Sequence, residues 1–282
     1  MPTLAIIGAG PGMGLAIART FGARGFDVAL LARTPRKLDD LVARLGQEGI
    51  TAAAFPADVL DRPSLTTALQ AARVRFGSID VLEYSPAPGH SPVPGFTMAV
   101  PSEVTVDNLQ PQIEYNLYGA VTAARAVLPA MREAGAGMLL FTTGGGSVHP
   151  IPMLGNINAA AAALRNWVLN LHNELAGSGV LAAHVAINTW IGEGGPEGIP
   201  SATPEQIAPL YWDLYERRDQ AEVVFNARRG APSTFRKAGC PARSPRPCRQ
   251  PPPGERPAAG NGPRATAAPS PRAAGGPAQS AS

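Results

Sequence analysis

The stretch Leu4-Ala5-Ile6-Ile7-Gly8-Ala9-Gly10-Pro11-Gly12-Met13-Gly14 decides the fold. Four apolar residues empty into a glycine-rich turn, and Leu15-Ala16-Ile17-Ala18-Arg19-Thr20-Phe21 follows with the composition of a helix. A strand, a tight turn and a helix form the unit that aims free backbone amides and the positive end of a helix dipole at an anion. Glycine at Gly8, Gly12 and Gly14 lets the chain turn and lets a phosphate approach where a Cβ would stand. With Gly10 and Met13 between them, these residues make the candidate phosphate cradle, in the spacing G-x-x-x-G-x-G. The spacing G-x-G-x-x-G is not met, because position 13 is Met. An ordinary tight turn is the alternative. A second apolar run at Val28 to Leu31, directly after the helix, favours the cradle.

The second strand refines the ligand. Nucleotide sites of this type that bind NAD place a carboxylate near its end, on the ribose hydroxyls. Here Phe26-Asp27-Val28-Ala29-Leu30-Leu31 runs into Ala32-Arg33-Thr34, and Asp27 stands at the wrong end. A guanidinium at Arg33 suits a 2′-phosphate, which favours NADP(H) over NAD(H). The alternative is a solvated arginine at the start of a helix.

Composition bounds the rest. The chain has 282 residues and a formal net charge of +3. From Gly230 onward there are 12 prolines, eight Lys or Arg and one Glu, with Phe235 the only aromatic. Such a segment buries too little apolar surface to offset chain entropy. Residues 229–282 are therefore expected to be a disordered Pro/Ala/Arg/Gly-rich tail, and residues 1–228 one nucleotide-binding domain. The basic charge belongs to the tail; the remainder is net acidic. Charge alone could draw such a tail to nucleic acid or anionic lipid. No aromatic interleaving supports a nucleic-acid partner, and no apolar run is long enough for a membrane. The tail's bias is also what GC-rich DNA read out of frame would give. Both cysteines, Cys240 and Cys248, lie in it at a spacing that fits neither zinc nor redox chemistry, so no metal and no disulfide framework is expected. The N-terminal apolar run is too short for a signal peptide, which makes a cytoplasmic location the default.

Strand and helix signals alternate along the chain. Thr34 and Pro35 open a helix in which Leu38, Leu41, Val42 and Leu45 share one face. Strands are predicted at Thr51–Phe55, Ile79–Glu83, Met138–Thr142, Leu181–Ile187 and Val223–Phe225. Helices are predicted at Ser64–Phe76, Gln112–Met131, Asn158–Ala176 and Pro204–Arg217, with a long loop over Ser85–Pro101. This alternation argues for an α/β fold, a Rossmann-type doubly wound parallel sheet flanked by helices on both faces. Ligands in such sheets bind beyond the carboxyl ends of the strands.

Over residues 1 to about 225 the sequence resembles the classical short-chain dehydrogenase/reductase family. The glycine spacing 8, 12, 14 carries the resemblance. So do Asp58-Val59 after the third strand, Asn116 in Tyr115-Asn116-Leu117-Tyr118-Gly119, and the helix around Ala159–Leu171. The resemblance implies that Asp58 and Val59 meet the adenine ring, that Asn116 holds a proton-relay water, and that the chain assembles as a dimer or tetramer. Asp58 as a helix cap and Asn116 at a helix kink are the alternatives.

The departures concern catalysis. Gly144, Ile157 and Ala161 occupy the positions where the family carries serine, tyrosine and lysine, at the family's own spacings of 13 and 4. The usual Asn-Asn-Ala-Gly is Tyr84-Ser85-Pro86-Ala87, with Ser85 still expected at the coenzyme, and the usual Pro-Gly is Thr189-Trp190. A tyrosine hydroxyl beside an ammonium is the ordinary proton donor, and none of the three replacements can donate. Substitutes offered by the sequence are Thr143, whose direction strand alternation leaves open, His149 in the glycine loop, and Tyr84 at the end of the fourth strand. His172 and His184 are read as structural. Gly144–Gly146 is read as a close backbone approach to a ligand, or as amides facing an oxyanion. Tyr211, Trp212 and Tyr215 are read as pocket lining or core. The resulting expectation is an NADP(H)-dependent oxidoreductase of a carbonyl or alcohol substrate with a non-standard site. The alternatives are a non-catalytic NADP(H)-binding sensor or partner protein, and a decayed copy.

Overall fold

A computed structural model describes residues 1–87 and 96–227. The tail, with Cys240 and Cys248, and most of the expected Ser85–Pro101 loop's apex lie outside the described residues. Seven parallel strands form one sheet in the order β3-β2-β1-β4-β5-β6-β9. They are β1 (Thr3–Ile7), β2 (Asp27–Ala32), β3 (Ala52–Pro56), β4 (Val81–Tyr84), β5 (Gly137–Gly144), β6 (Val180–Ile187) and β9 (Glu222–Phe225). The order reverses between β3-β2-β1 and β4-β5-β6, which opens a crevice at the carboxyl ends of β1 and β4.

β1 shows why the sheet is covered twice. Its residues alternate in direction, so Ala5 and Ile7 enter one core and Leu4 and Ile6 the other. The first core is closed by α3 (Arg62–Phe76), α5 (Gly119–Ala134) and α6 (Gly155–Glu174). The second is closed by α1 (Met13–Gly22), α2 (Pro35–Gln47), α7 (Pro204–Ile207) and α8 (Pro209–Arg217). Tyr211 of α8 is buried, and Trp212 and Tyr215 pack edge-on against Phe21 and Phe26, so these aromatics are core rather than pocket lining.

Three differences from the sequence expectation have local causes. A helix α4 (Val106–Ile113) lies just ahead of the expected helix start, opened by a Thr105/Asn108 capping box. Pro111 sits inside it, lacks an N–H, and is followed by a π-helical segment at Glu114–Tyr118 before α5 begins. The expected helix Pro204–Arg217 is divided at Pro209 into α7 and α8 for the same reason. A two-stranded ribbon, β7 (Trp190–Ile191) with β8 (Ser201–Ala202), stands in the glycine- and proline-rich stretch after β6.

Candidate active site

At the carboxyl ends of β1, β2, β4 and β5 lies a cavity of about 620 Å³. Its floor is the glycine turn. Gly8 takes a positive φ of 97°, and a Cβ there would come within 2.6 Å of Pro86 Cα and 2.7 Å of the Ser85 carbonyl oxygen. Gly14 is needed for a different contact, since its Cβ would stand 2.9 Å from Ala9 Cα. The Gly8 and Ala9 amides both donate to the Leu31 carbonyl and tie the turn to β2. α1 begins at Met13 with Gly12 at its cap and no side-chain cap. The Leu15 amide donates to the Gly10 carbonyl and that of Ala16 to Gly12, while Met13 and Gly14, whose amides have no backbone acceptor among the described residues, line the cavity. Gly8, Gly10, Gly12, Met13, Gly14 and Ser85 all line the cavity.

At the far end stand Arg33, Thr34 and Lys37. Neither cation is paired with a described carboxylate. Lys37 was not singled out in the sequence. It lies on the first turn of α2, four residues after Arg33, and that spacing was the available signal. Val59 lines the cavity. Asp58 does not, and its carboxylate accepts the Leu60 amide; the cap of α3 is Asp61, which accepts from Ser64.

Two buried groups lie under the cradle. Glu83 accepts from Ser85 Oγ at 2.8 Å and from Thr142 Oγ1 at 2.9 Å, and burial pushes its carboxyl up to about 7. Thr142 also meets the Tyr211 hydroxyl at 2.8 Å. Ser85 and Thr142 both line the cavity, so its wall is hydrogen-bonded directly to a buried ionisable residue.

The proposed substitute donors are placed very differently. Tyr84 is 1% exposed and its hydroxyl donates to the Tyr115 carbonyl inside the first core; burial raises its pKa well above the usual phenol value. It does not reach the cavity, because the neighbouring Gly119 seats the hydroxyl against α5. His149 is exposed, its amide donates to the Gly145 carbonyl, and it too is absent from the cavity wall. Asn116 lines the cavity and its Nδ2 donates to the Gln112 carbonyl across the π-helical turn. Tyr115 lines the cavity as well, with its pKa pushed up to about 12 by burial.

Thr143 lines the cavity and is 8% exposed. Its Oγ1 lies 2.8 Å from Ser147 Oγ and 2.8 Å from His184 Nε2. Sequence reading took His184 as structural. Its link to Thr143 spans 41 positions, a pairing that only neighbouring strands create. The glycine run also reads differently in three dimensions. A Cβ on Gly145 would overlap Asn188 and one on Gly146 would overlap Asn158, so these glycines serve approach to two asparagines rather than to a ligand. Gly144 has extended backbone and open space around its absent side chain.

Comparison with known proteins agrees with this geometry. Residues 2–189 match the family profile described as short chain dehydrogenase. The chain is 30% identical to dehydrogenase/reductase SDR family member 4 of Bos taurus over 218 residues, 77% of this chain and 71% of that protein. It is 30% identical to oxidoreductase BOA17 of Botryotinia fuckeliana over 175 residues, but covers only 61% of that protein's length. Among solved structures, an alcohol dehydrogenase from the archaeon Thermococcus sibiricus complexed with 5-hydroxy-NADP superposes with a TM-score of 0.67 at 25% identity, covering 80% of this chain and 96% of that one. A putative oxidoreductase from Escherichia coli superposes at 0.71 with 19% identity, covering 80% and 95%, a likeness of fold alone.

Proposed function

The chain belongs to the short-chain dehydrogenase family, and from that premise we propose that it is an NADP(H)-dependent oxidoreductase acting on a carbonyl or alcohol substrate through a non-standard catalytic site. Solved neighbours are described with NADPH or with NAD, so the family likeness alone leaves the coenzyme choice open. The observation that carries NADP(H) is the pair of cations Arg33 and Lys37 in the cavity wall, at the carboxyl end of β2, whose one acid, Asp27, stands at the opposite end. A 2′-phosphate brings two negative charges to that corner, and a guanidinium can grip it with a fork of hydrogen bonds.

The residues present fit a dinucleotide. Gly8 and Gly14 let the turn close against Ser85–Pro86 and Ala9, and the turn's residues 8–14 all line the cavity. The amides at the start of α1 suit the diphosphate, Val59 suits an adenine face, and Ser85 and Asn116 lie on the way to β5. When bound, the nicotinamide supplies or takes the hydride. The protein's part is to orient the coenzyme and to handle the proton on the substrate oxygen. Gly144, Ile157 and Ala161 offer no side-chain donor for that proton. Among the described residues no helix is long and apolar enough to cross a membrane. Ala159 and Ala162 are exposed on α6, which leaves a flat surface for a second copy, and a homo-oligomer is part of this reading.

Calorimetric titration tests the coenzyme. NADPH should bind at least ~10-fold more tightly than NADH, and Arg33→Ala or Lys37→Ala should each remove about 1–2 kcal/mol of that preference. Equal affinity for the two nucleotides would reject it. NADPH binding without oxidation by any of a broad panel of aldehydes and ketones would favour a non-catalytic binding protein instead.

A further inference from the structure

Resting on the oxidoreductase reading, we propose that Thr143, His184 and Glu222 form a proton relay, in which the Thr143 hydroxyl meets the oxygen of the substrate's carbonyl or alcohol. The three side chains come from the neighbouring strands β5, β6 and β9, and Arg165 of α6 completes the line. Thr143 Oγ1 lies 2.8 Å from His184 Nε2, and His184 Nδ1 lies 2.9 Å from Glu222 Oε1. Arg165 donates to both Glu222 oxygens, at 2.5 and 2.7 Å. Thr143 opens on the cavity, His184 is fully buried, and Glu222 and Arg165 are partly exposed. The line therefore runs from the cavity to the protein surface at the sheet edge.

Charge fixes where each hydrogen sits. Hydrogen bonding from Arg165 holds the Glu222 carboxyl below its usual range, so Glu222 is an acceptor and His184 Nδ1 carries the hydrogen. Burial lowers the pKa of His184 against the opposing pull of Glu222, which leaves Nε2 as a bare acceptor near neutral pH. The groups facing the imidazole are Glu222 from β9 and Arg165 from α6, and both act in that balance. The single hydrogen on Thr143 has two acceptors at 2.8 Å, Ser147 Oγ, which in turn donates to the Gly144 carbonyl at 3.0 Å, and His184 Nε2; the relay uses the arrangement in which it points to Nε2. With that hydrogen directed at Nε2, Thr143 Oγ1 keeps lone pairs that can accept from Ser147, 2.8 Å away, or from an incoming hydroxyl.

In alcohol oxidation the substrate O–H proton passes to Thr143 Oγ1 as the threonine's own hydrogen moves to His184 Nε2. The imidazolium so formed is stabilised by Glu222; an oxidised nicotinamide coenzyme, when bound, would accept the hydride from the substrate C–H bond. In carbonyl reduction the proton returns through the same atoms in the opposite order. Thr143 touches substrate and is the catalytic group; His184 and Glu222 act through it. A merely structural cluster would also satisfy these buried atoms, so the test must read proton transfer rather than folding.

The full chain, free of coenzyme, is followed by nitrogen NMR of its histidines, with His184 identified by the signal lost in His184→Gln. His184 should be neutral with its hydrogen on Nδ1 at pH 7, Thr143→Val should move its titration midpoint, and Glu222→Gln should lower it. With NADPH and 4-nitrobenzaldehyde, Thr143→Val should cut kcat about 100-fold or more with KM and NADPH affinity little changed, and Thr143→Ser should restore it to within ~10-fold. A hydrogen on Nε2 at pH 7, a midpoint indifferent to Thr143→Val, or an undiminished kcat in Thr143→Val would each overturn the relay while leaving the oxidoreductase reading in place. Bound NADPH that no carbonyl oxidises would overturn that reading, and the relay with it.

Discussion

The two ends of the cavity are built by different rules. At the coenzyme end, β1, the glycine turn and α1 are consecutive in the chain, and the constraints act between backbones. Gly8 has no tolerance for a Cβ because Pro86 and Ser85 press on it. At the end formed by β5, the polar groups come from residues 41 and 38 positions apart, and they meet only because β5, β6 and β9 are neighbours. There, Gly144 stands in open space where a side chain would fit. One end is specified at Gly8 and Gly14 by backbone contacts that exclude a Cβ, and the other by side chains that meet across strands.

Substitutions sharpen this contrast, the largest first. Gly8→Ala should cost about 4 kcal/mol and abolish coenzyme binding, since it adds both an overlap with backbone and strain at positive φ. Thermal melting and titration with NADPH read both effects; a stable, binding-competent variant would break the comparison.

Glu83→Gln probes the floor beneath the cradle. A carboxyl raised to about 7 favours the folded state while protonated. Its contribution is full below the ordinary carboxylate range near 4.5 and is lost as pH rises through about 7. Removing the ionisation should therefore raise stability by roughly 2–3 kcal/mol at pH 8 and by little at pH 4, as denaturant unfolding at the two pH values would show. A gain that is the same at both would mean that Glu83 is not the titrating group.

The glycine run after β5 can be divided residue by residue. Gly146→Ala should cost about 2 kcal/mol through overlap with Asn158, whereas Gly144→Ser should stay within about 0.5 kcal/mol. Equal costs, measured by thermal melts, would show that the loop moves as a unit and that the β5 end is as constrained as the coenzyme end. The smallest effect is expected at the cap of α4, where Thr105→Ala removes the side-chain acceptor of the Asn108 amide and should cost ~1 kcal/mol.

Legibility in the sequence follows the same division. The parallel sheet was readable because its strands are apolar on both faces and its helices repeat at helical spacing. The glycine turn was readable because Gly8 and Gly14 leave no room for a Cβ, although Gly10 and Gly12 do. Helix α4 escaped because its capping box uses Asn108 rather than an acid, and because Pro111 lies within it. Tyr84 looked available at a strand end, but the alternation of β4 turns it into the first core, where it bonds the Tyr115 carbonyl. Lys37 went unnoticed because its value depends on facing the same corner as Arg33.

The sequence by itself determined the layered α/β sheet, the glycine cradle and the basic residue after β2, since each arises from periodicity or from a backbone need local to a few residues. Tertiary structure alone decided which hydroxyls face the cavity and which histidine lies behind them. Side-chain direction and strand adjacency are set by packing across the sheet, over separations that no local pattern encodes.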